Sequence, residues 1–152
     1  PEMPPIRTEP FGRQWVARIS RALTEGALFA FPQPDLVIGS PGSPVVSGAA
    51  QLGSTLNLSG FTPGYVVREG QFFSIIHAGR RYLHSTASET TASGTGTMAL
   101  PILPMLRISP SNGAVCEFAA PMIEGFFDGQ AVEWEPLLEP YTKVSFTITA
   151  AE

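Results

Sequence analysis

Short runs of β-favouring residues recur about every eight to twelve residues from residue 45 onward, separated by turn chemistry. No other feature constrains the fold as much. Leu56 and Leu58 alternate with Thr55, Asn57 and Ser59. Tyr65-Val66-Val67 and Phe72-Phe73-Ser74-Ile75-Ile76 are compact apolar runs, and His77-Ala78-Gly79-Arg80 is a tight turn leading into Tyr82-Leu83-His84. Thr91 to Thr97 reads as a polar tip, after which Met98, Leu100 and Ile102 alternate again. Ser111-Asn112-Gly113 is a strong hairpin signal ahead of Val115 to Phe118. The last segment sets Val144, Phe146 and Ile148 on one face and Lys143, Ser145, Thr147 and Thr149 on the other. Strands at this spacing predict a mainly β protein, either an antiparallel β-sandwich or a small β-barrel. A long helical bundle and a coiled coil are excluded. The expected core is Leu56, Leu58, Phe73, Leu100, Trp134, Phe146 and Ile148, joined by Trp15 and Ile19 from a helix.

That helix is the one convincing helical signal, over 11–24. Phe11, Trp15, Ile19 and Leu23 share one stripe, while Arg13, Arg18 and Arg21 sit off it, and Gly26 is a stop signal. Residues 1–10 hold four prolines and no periodicity, and read as an extended N-terminal arm. Residues 26–48 are dominated by proline, glycine and serine and read as a long Pro/Gly-rich loop. The expected organisation is therefore the arm at 1–10 and one domain over 11–152: helix 11–24, loop 26–48 and β-core 49–149. At 152 residues such a domain buries roughly 70% of its unfolded surface.

Composition bears on partners. Charged residues are 14% of the chain, against about 25% in ordinary domains. The net charge of −4 argues against phosphate-driven nucleic-acid binding, for which Arg80-Arg81-Tyr82 is the best basic–aromatic cluster. Eight of the nine basic residues are arginines, the exception being Lys143. Arginine is favoured over lysine at protein interfaces, although codon usage in a GC-rich genome gives the same bias. A surface this poor in charge reads as one covered by other chains. Its candidate interface residues are Pro4, Pro5, Arg7, Arg13, Arg18, Arg21, Pro32, Pro34, Arg80 and Arg81. The double aromatics Phe72-Phe73 and Phe126-Phe127 point the same way, because neighbours on a strand face opposite sides and both sides then need cover. A first proline fits removal of an initiator methionine and reads as a complete gene product. No secretory signal or membrane-spanning apolar run is present, so no membrane insertion is expected.

Catalytic signals are sparse. The lone Cys116 lies in Ala-Val-Cys-Glu-Phe, the setting of a buried small hydrophobe. His77 and His84 flank one turn and would lie near each other on a hairpin, yet a metal site needs a third ligand. No nucleophile elbow and no phosphate-binding loop is present. Neither a cofactor nor enzymatic activity is expected.

The series Arg68-Glu69-Gly70-Gln71-Phe72-Phe73-Ser74-Ile75, Gly79-Arg80-Arg81-Tyr82-Leu83-His84, Gly94-Thr95-Gly96-Thr97-Met98-Ala99-Leu100-Pro101-Ile102 and Pro104-Met105-Leu106-Arg107 carries a resemblance, extended by Ala119-Ala120-Pro121-Met122-Ile123-Glu124-Gly125-Phe126. Over about residues 45 to 126 this spacing resembles tail proteins of tailed bacteriophages and prophages, of the minor-tail or baseplate, distal-tail type. The resemblance implies a structural virion component without catalytic residues. It implies other tail or baseplate proteins as partners, a homo-oligomeric ring, assembly in the bacterial cytoplasm and a final place in the virion. An alternative of a different class is a β module that binds a glycan or small ligand, with Tyr82, Trp134 or Tyr141 as a stacking platform.

Overall fold

A computed structural model describes residues 6–127, 133–136, 141–145 and 148–150, with side chains through Phe126. In chain order its elements are β1 (Ile6–Arg7), α1 (Arg13–Glu25), β2 (Ala27–Ala30), β3 (Gly42–Val46), β4 (Gly53–Phe61), β5 (Val66–Val67), β6 (Phe72–His77), β7 (Arg80–Thr86), β8 (Thr90–Thr91), β9 (Met98–Leu106), β10 (Val115–Glu117), β11 (Met122–Phe127), β12 (Glu133–Pro136), β13 (Tyr141–Ser145) and β14 (Ile148–Ala150). The protein is mainly β with one N-terminal helix. Its chain forms two compact units, 29–123 and the two terminal segments 1–28 with 124–152, where the sequence suggests one body over 11–152.

The first unit is a closed antiparallel barrel in the order β10-β3-β4-β9-β7-β6. Of the sandwich and the barrel, the chain thus takes the barrel, and closure removes the open strand edges that a sandwich leaves. Alternation along the strands fills the interior. Leu56 and Leu58 of β4, Phe73 and Ile75 of β6, and Met98, Leu100 and Ile102 of β9 are buried with Val46, Cys116 and Phe118. Phe118 stacks on Phe73 at 4.6 Å between ring centroids and meets Phe61 edge-on at 5.3 Å.

Turn chemistry holds the strands. Ala78 and Gly79 both have positive φ, 51° and 77°, as a two-residue type I′ hairpin between β6 and β7 requires. Gly96 is fixed differently: a Cβ there would run into the Phe61 carbonyl oxygen, so only glycine fits. Its carbonyl accepts the Phe61 N–H at 3.1 Å, which folds the expected polar tip back onto the barrel. The Asn112-Gly113 turn also forms, with Gly113 at φ 80°, but its flanking strands β9 and β10 are not neighbours. The hairpin expected there is a crossing over the end of the barrel.

The loop expected over 26–48 contains two strands. Gly42–Val46 is a barrel stave, and Ala27–Ala30 joins the sheet β14-β11-β2. The barrel therefore begins before residue 49 and its last strand ends at Glu117. The expected continuous strand over 143–149 is divided: β13 pairs with β1 and β12, whereas β14 pairs with β11. Trp134 and Ile148 lie on β12 and β14 of the terminal unit, and not on the barrel. Their side chains, like Phe146 and the prolines Pro4 and Pro5, lie outside the described residues.

In the terminal unit α1 begins two residues later than expected, after a kinked turn over Thr8–Gly12 in which Glu9 is extended. Ile19 and Ala22 are buried, but the rest of the stripe is only partly covered. Trp15 is half-buried rather than core, and Phe11 is 59% exposed.

Candidate interaction surfaces

The residues that bear chemistry do not converge. His77 pairs with Arg80 and His84 with Phe73 in the β6–β7 ladder, so the two imidazoles sit four ladder positions apart, about 13 Å at the usual rise per residue. The closeness expected from their flanking one turn does not arise, because the turn is only two residues long and His84 follows it by five. Each histidine has its own structural task. The half-buried His77 accepts the Ser111 N–H at its Nδ1, 3.2 Å away, and so pins the 107–114 connection to the hairpin. His84 is buried beside Phe73, at 6.0 Å between centroids, and its Nδ1–H donates to the Pro104 carbonyl at 3.0 Å. Burial holds the His84 imidazole below its ordinary pKa, more than the Pro104 carbonyl raises it, which favours the neutral ring. Cys116 is buried, and desolvation pushes its thiol up to about 12, so it stays protonated and packs as an apolar side chain. Among the described residues no cluster of three or more metal-ligating side chains occurs.

Polar groups under the barrel wall serve packing instead. Gln71 donates its backbone N–H to Thr86 Oγ1 at 3.1 Å, and Thr86 Oγ1 donates to the Arg68 carbonyl at 2.5 Å. Gln71 Oε1 accepts the Arg68 N–H at 3.0 Å. The buried Gln71 and Thr86 are thereby matched, as a stable interior requires.

The proline-rich segment 31–41 is a strap laid on its own barrel. Phe31 donates its N–H to the Pro121 carbonyl at 2.7 Å, and its ring lies 4.4 Å from that of Phe72. Gln33 acts as a substitute strand. Its Oε1 accepts the Phe72 N–H at 2.6 Å and its Nε2 donates to the Phe72 carbonyl at 3.2 Å. Tyr65 donates its hydroxyl to the Ile38 carbonyl at 2.8 Å, and Thr62 N–H donates to the Pro41 carbonyl at 2.9 Å. The outer cover that Phe72 needs thus comes from Phe31 of the same chain. Phe126, by contrast, keeps nearly half its surface exposed.

The expected interface residues fall into separate groups. Arg7, Arg13, Arg18 and Arg21 are exposed on the terminal unit. Arg13 pairs with Glu9 at 3.1 Å and Arg21 with Glu25 at 2.9 Å, both at i,i+4 on the surface, and Arg18 lies over the Trp15 ring at 6.0 Å. Such exposed pairs are worth little energetically, which leaves these arginines available to a partner. Pro32 and Pro34 are exposed on the strap. Arg80 and Arg81 are half-buried at the start of β7, and Tyr82, opposite Ile75, is half-buried as well. Sequence reasoning missed a further group: Leu52, Leu103, Met105 and Ile108 are all about half exposed or more. For Leu103 and Met105 the cause is a bulge in β9, where residues 102–105 face Ser54 alone on the β4 side between the pairs Thr55↔Pro101 and Gly53↔Leu106. Two prolines in a strand, Pro101 and Pro104, are the signal that marks it.

No helix among the described residues is long and apolar enough to cross a membrane. Compared with known protein families and with curated proteins, the chain matches no family model and no curated sequence.

Proposed function

We propose that this protein is a structural, non-catalytic component that works through protein–protein contacts, as a subunit of a bacteriophage tail or baseplate. The supporting observation is the run of exposed large apolar side chains, Phe11, Leu28 and Phe126 on the terminal unit and Leu52, Met105 and Ile108 on the barrel, in a chain with only 14% charged residues. Leu52, Met105 and Ile108 gather at one end of the barrel, and exposed apolar side chains grouped in this way mark contact sites in soluble proteins. The phage assignment rests on the sequence resemblance over about 45 to 126. Packing of 31–41 on its own barrel fixes that strap in place with Pro32 and Pro34 exposed on it, so the assembly surfaces are the barrel with its strap and the exposed face of α1.

The test is mass spectrometry of purified particles induced from the source bacterium. Peptides of this chain at a constant ratio to known tail proteins are expected. Intact infectious particles that lack the chain would overturn the reading.

A further inference from the structure

The crossing over 107–114 carries an Asn-Gly pair, Asn112-Gly113, and the chain has one other asparagine, Asn57, which precedes Leu58. Asparagine followed by glycine is chemically labile. With no Cβ in the way, the glycine nitrogen reaches the asparagine Cγ and closes a cyclic imide, whereas a leucine side chain shields that approach. Asn112 and Gly113 are both exposed, so water reaches the pair. The fold nevertheless ties both reacting groups down. The Gly113 N–H, which supplies the nucleophile, donates to the Val46 carbonyl at 2.8 Å. Asn112 Oδ1 accepts the Gly48 N–H at 2.8 Å, which fixes the carboxamide against the 47–52 connection. One residue back, the Ser111 N–H donates to His77 Nδ1 at 3.2 Å. Ring closure needs the Gly113 nitrogen turned away from Val46 and the carboxamide turned away from Gly48, so both bonds must open first.

The same bonds close the barrel at its narrowest join. β10 meets β3 through one ladder pair, Val115↔Val45, against three pairs with β6 on its other side. That single pair is extended by the Val46 N–H, which donates to the Ala114 carbonyl at 2.9 Å, and by the Gly113 N–H on the Val46 carbonyl. A change in the main chain between Asn112 and Gly113 therefore acts on the join itself.

We propose that Asn112 is a site of spontaneous modification, converted through a cyclic imide to aspartate and isoaspartate, and that the folded barrel holds the reaction back until the 107–114 crossing opens locally. The Gly113 nitrogen gives up its proton and bonds to Asn112 Cγ. The Cγ–Nδ2 bond breaks, and ammonia leaves with that proton. Water then opens the imide. Cleavage of the bond between the Gly113 nitrogen and Cγ gives aspartate, whose carboxylate still accepts from Gly48. Cleavage of the bond between that nitrogen and the main-chain carbonyl carbon of residue 112 gives isoaspartate, with the main chain now running through Cβ and Cγ. Water enters, ammonia leaves, and nothing is oxidised or reduced. The isoaspartate form has an extra main-chain atom at the join. It draws the Gly113 N–H off the Val46 carbonyl and loosens β10 from β3.

Mass spectrometry of the full chain, aged at mildly alkaline pH both folded and in denaturing urea, tests this. The readout is the mass gain of amide-to-acid exchange, located by fragmentation, because Asp128-Gly129 closes the same ring without a change of mass. In denaturing urea Asn112 is expected to convert while Asn57 stays intact. In the folded chain Asn112 is expected to convert about tenfold more slowly, or slower still. His77→Ala unpins Ser111 without touching either reacting group. It is expected to speed conversion several-fold in the folded chain and to leave the rate in denaturing urea unchanged. Urea below the unfolding midpoint is expected to raise the rate in the wild type, a measurement that does not depend on the variant folding. The isoaspartate form, separated by chromatography and refolded, is expected to melt at a lower temperature than Asn112→Asp, which keeps an acceptor for the Gly48 N–H. Equal rates in the folded and unfolded chain overturn the proposal, as does a folded-state rate that neither His77→Ala nor sub-denaturing urea raises. So does conversion of Asn57 ahead of Asn112, or an isoaspartate form that melts with Asn112→Asp.

Discussion

At the scale of single residues, Ala78 and His84 carry costs that substitution can expose. Ala78 sits at φ 51°, where a Cβ costs about 1–2 kcal/mol and asparagine is tolerated better. Ala78→Asn is expected to stabilise the protein by about 0.5–1 kcal/mol in urea unfolding, with the slope unchanged. His84 is buried and held below its ordinary pKa of 6.5 mainly by desolvation. The unfolded chain therefore binds a proton more readily than the folded one. Stability linked to His84 is fully present above pH 6.5 and is lost as pH falls below that value toward the lower folded pKa. Melting temperatures between pH 7.5 and 5 are expected to fall in the wild type and to fall less in His84→Asn, which keeps a donor for the Pro104 carbonyl. Both residues were visible in the sequence as parts of a turn and a strand. Their energetic burdens were not, because φ and burial are set by the ladder around them.

At the scale of elements, the strap is the part the sequence read least well. Its composition is that of a linker, and only Phe31, Gln33 and the register of β6 make it a fixed structure. Local chemistry cannot announce this contact, since Gln33 and Phe72 lie 39 residues apart. Gln33→Ala leaves the Phe72 amide and carbonyl without those partners. It is expected to cost about 1–2 kcal/mol, within the range for lost hydrogen bonds, and hydrogen exchange is expected to speed up at Phe72 and Phe31 before the strands β4 and β9. The alternation of β4, β6 and β9, by contrast, was legible at once, because a period of two sets which side chains are buried wherever a strand forms.

At the scale of the whole molecule, charge placement matters more than its total. The barrel unit carries equal numbers of arginines and carboxylates, so the net charge of −4 resides entirely in the two terminal segments. A neutral unit with exposed apolar rims has little to keep copies apart in solution. Among the described residues Val37 is the most exposed large apolar side chain, at 92%. Val37→Glu is expected to raise the soluble concentration in polyethylene glycol precipitation while changing unfolding free energy by no more than about 0.5 kcal/mol.

The sequence by itself determined the mainly β class, the single N-terminal helix, the buried sets of β4, β6 and β9, the Ala78-Gly79 turn and the inert Cys116. All of these depend on neighbours within a few residues, on alternation, turn chemistry or side-chain type. Only the tertiary structure decided that the strands close into a barrel and that 31–41 is a strap. It also decided that Trp134 belongs to another unit and that three of the four arginines of 29–123 lie at the barrel end away from its four carboxylates. Each of those depends on which strands pair across long stretches of chain. Pairing partners are chosen by closure and packing of the whole set, and no local window of sequence contains that choice.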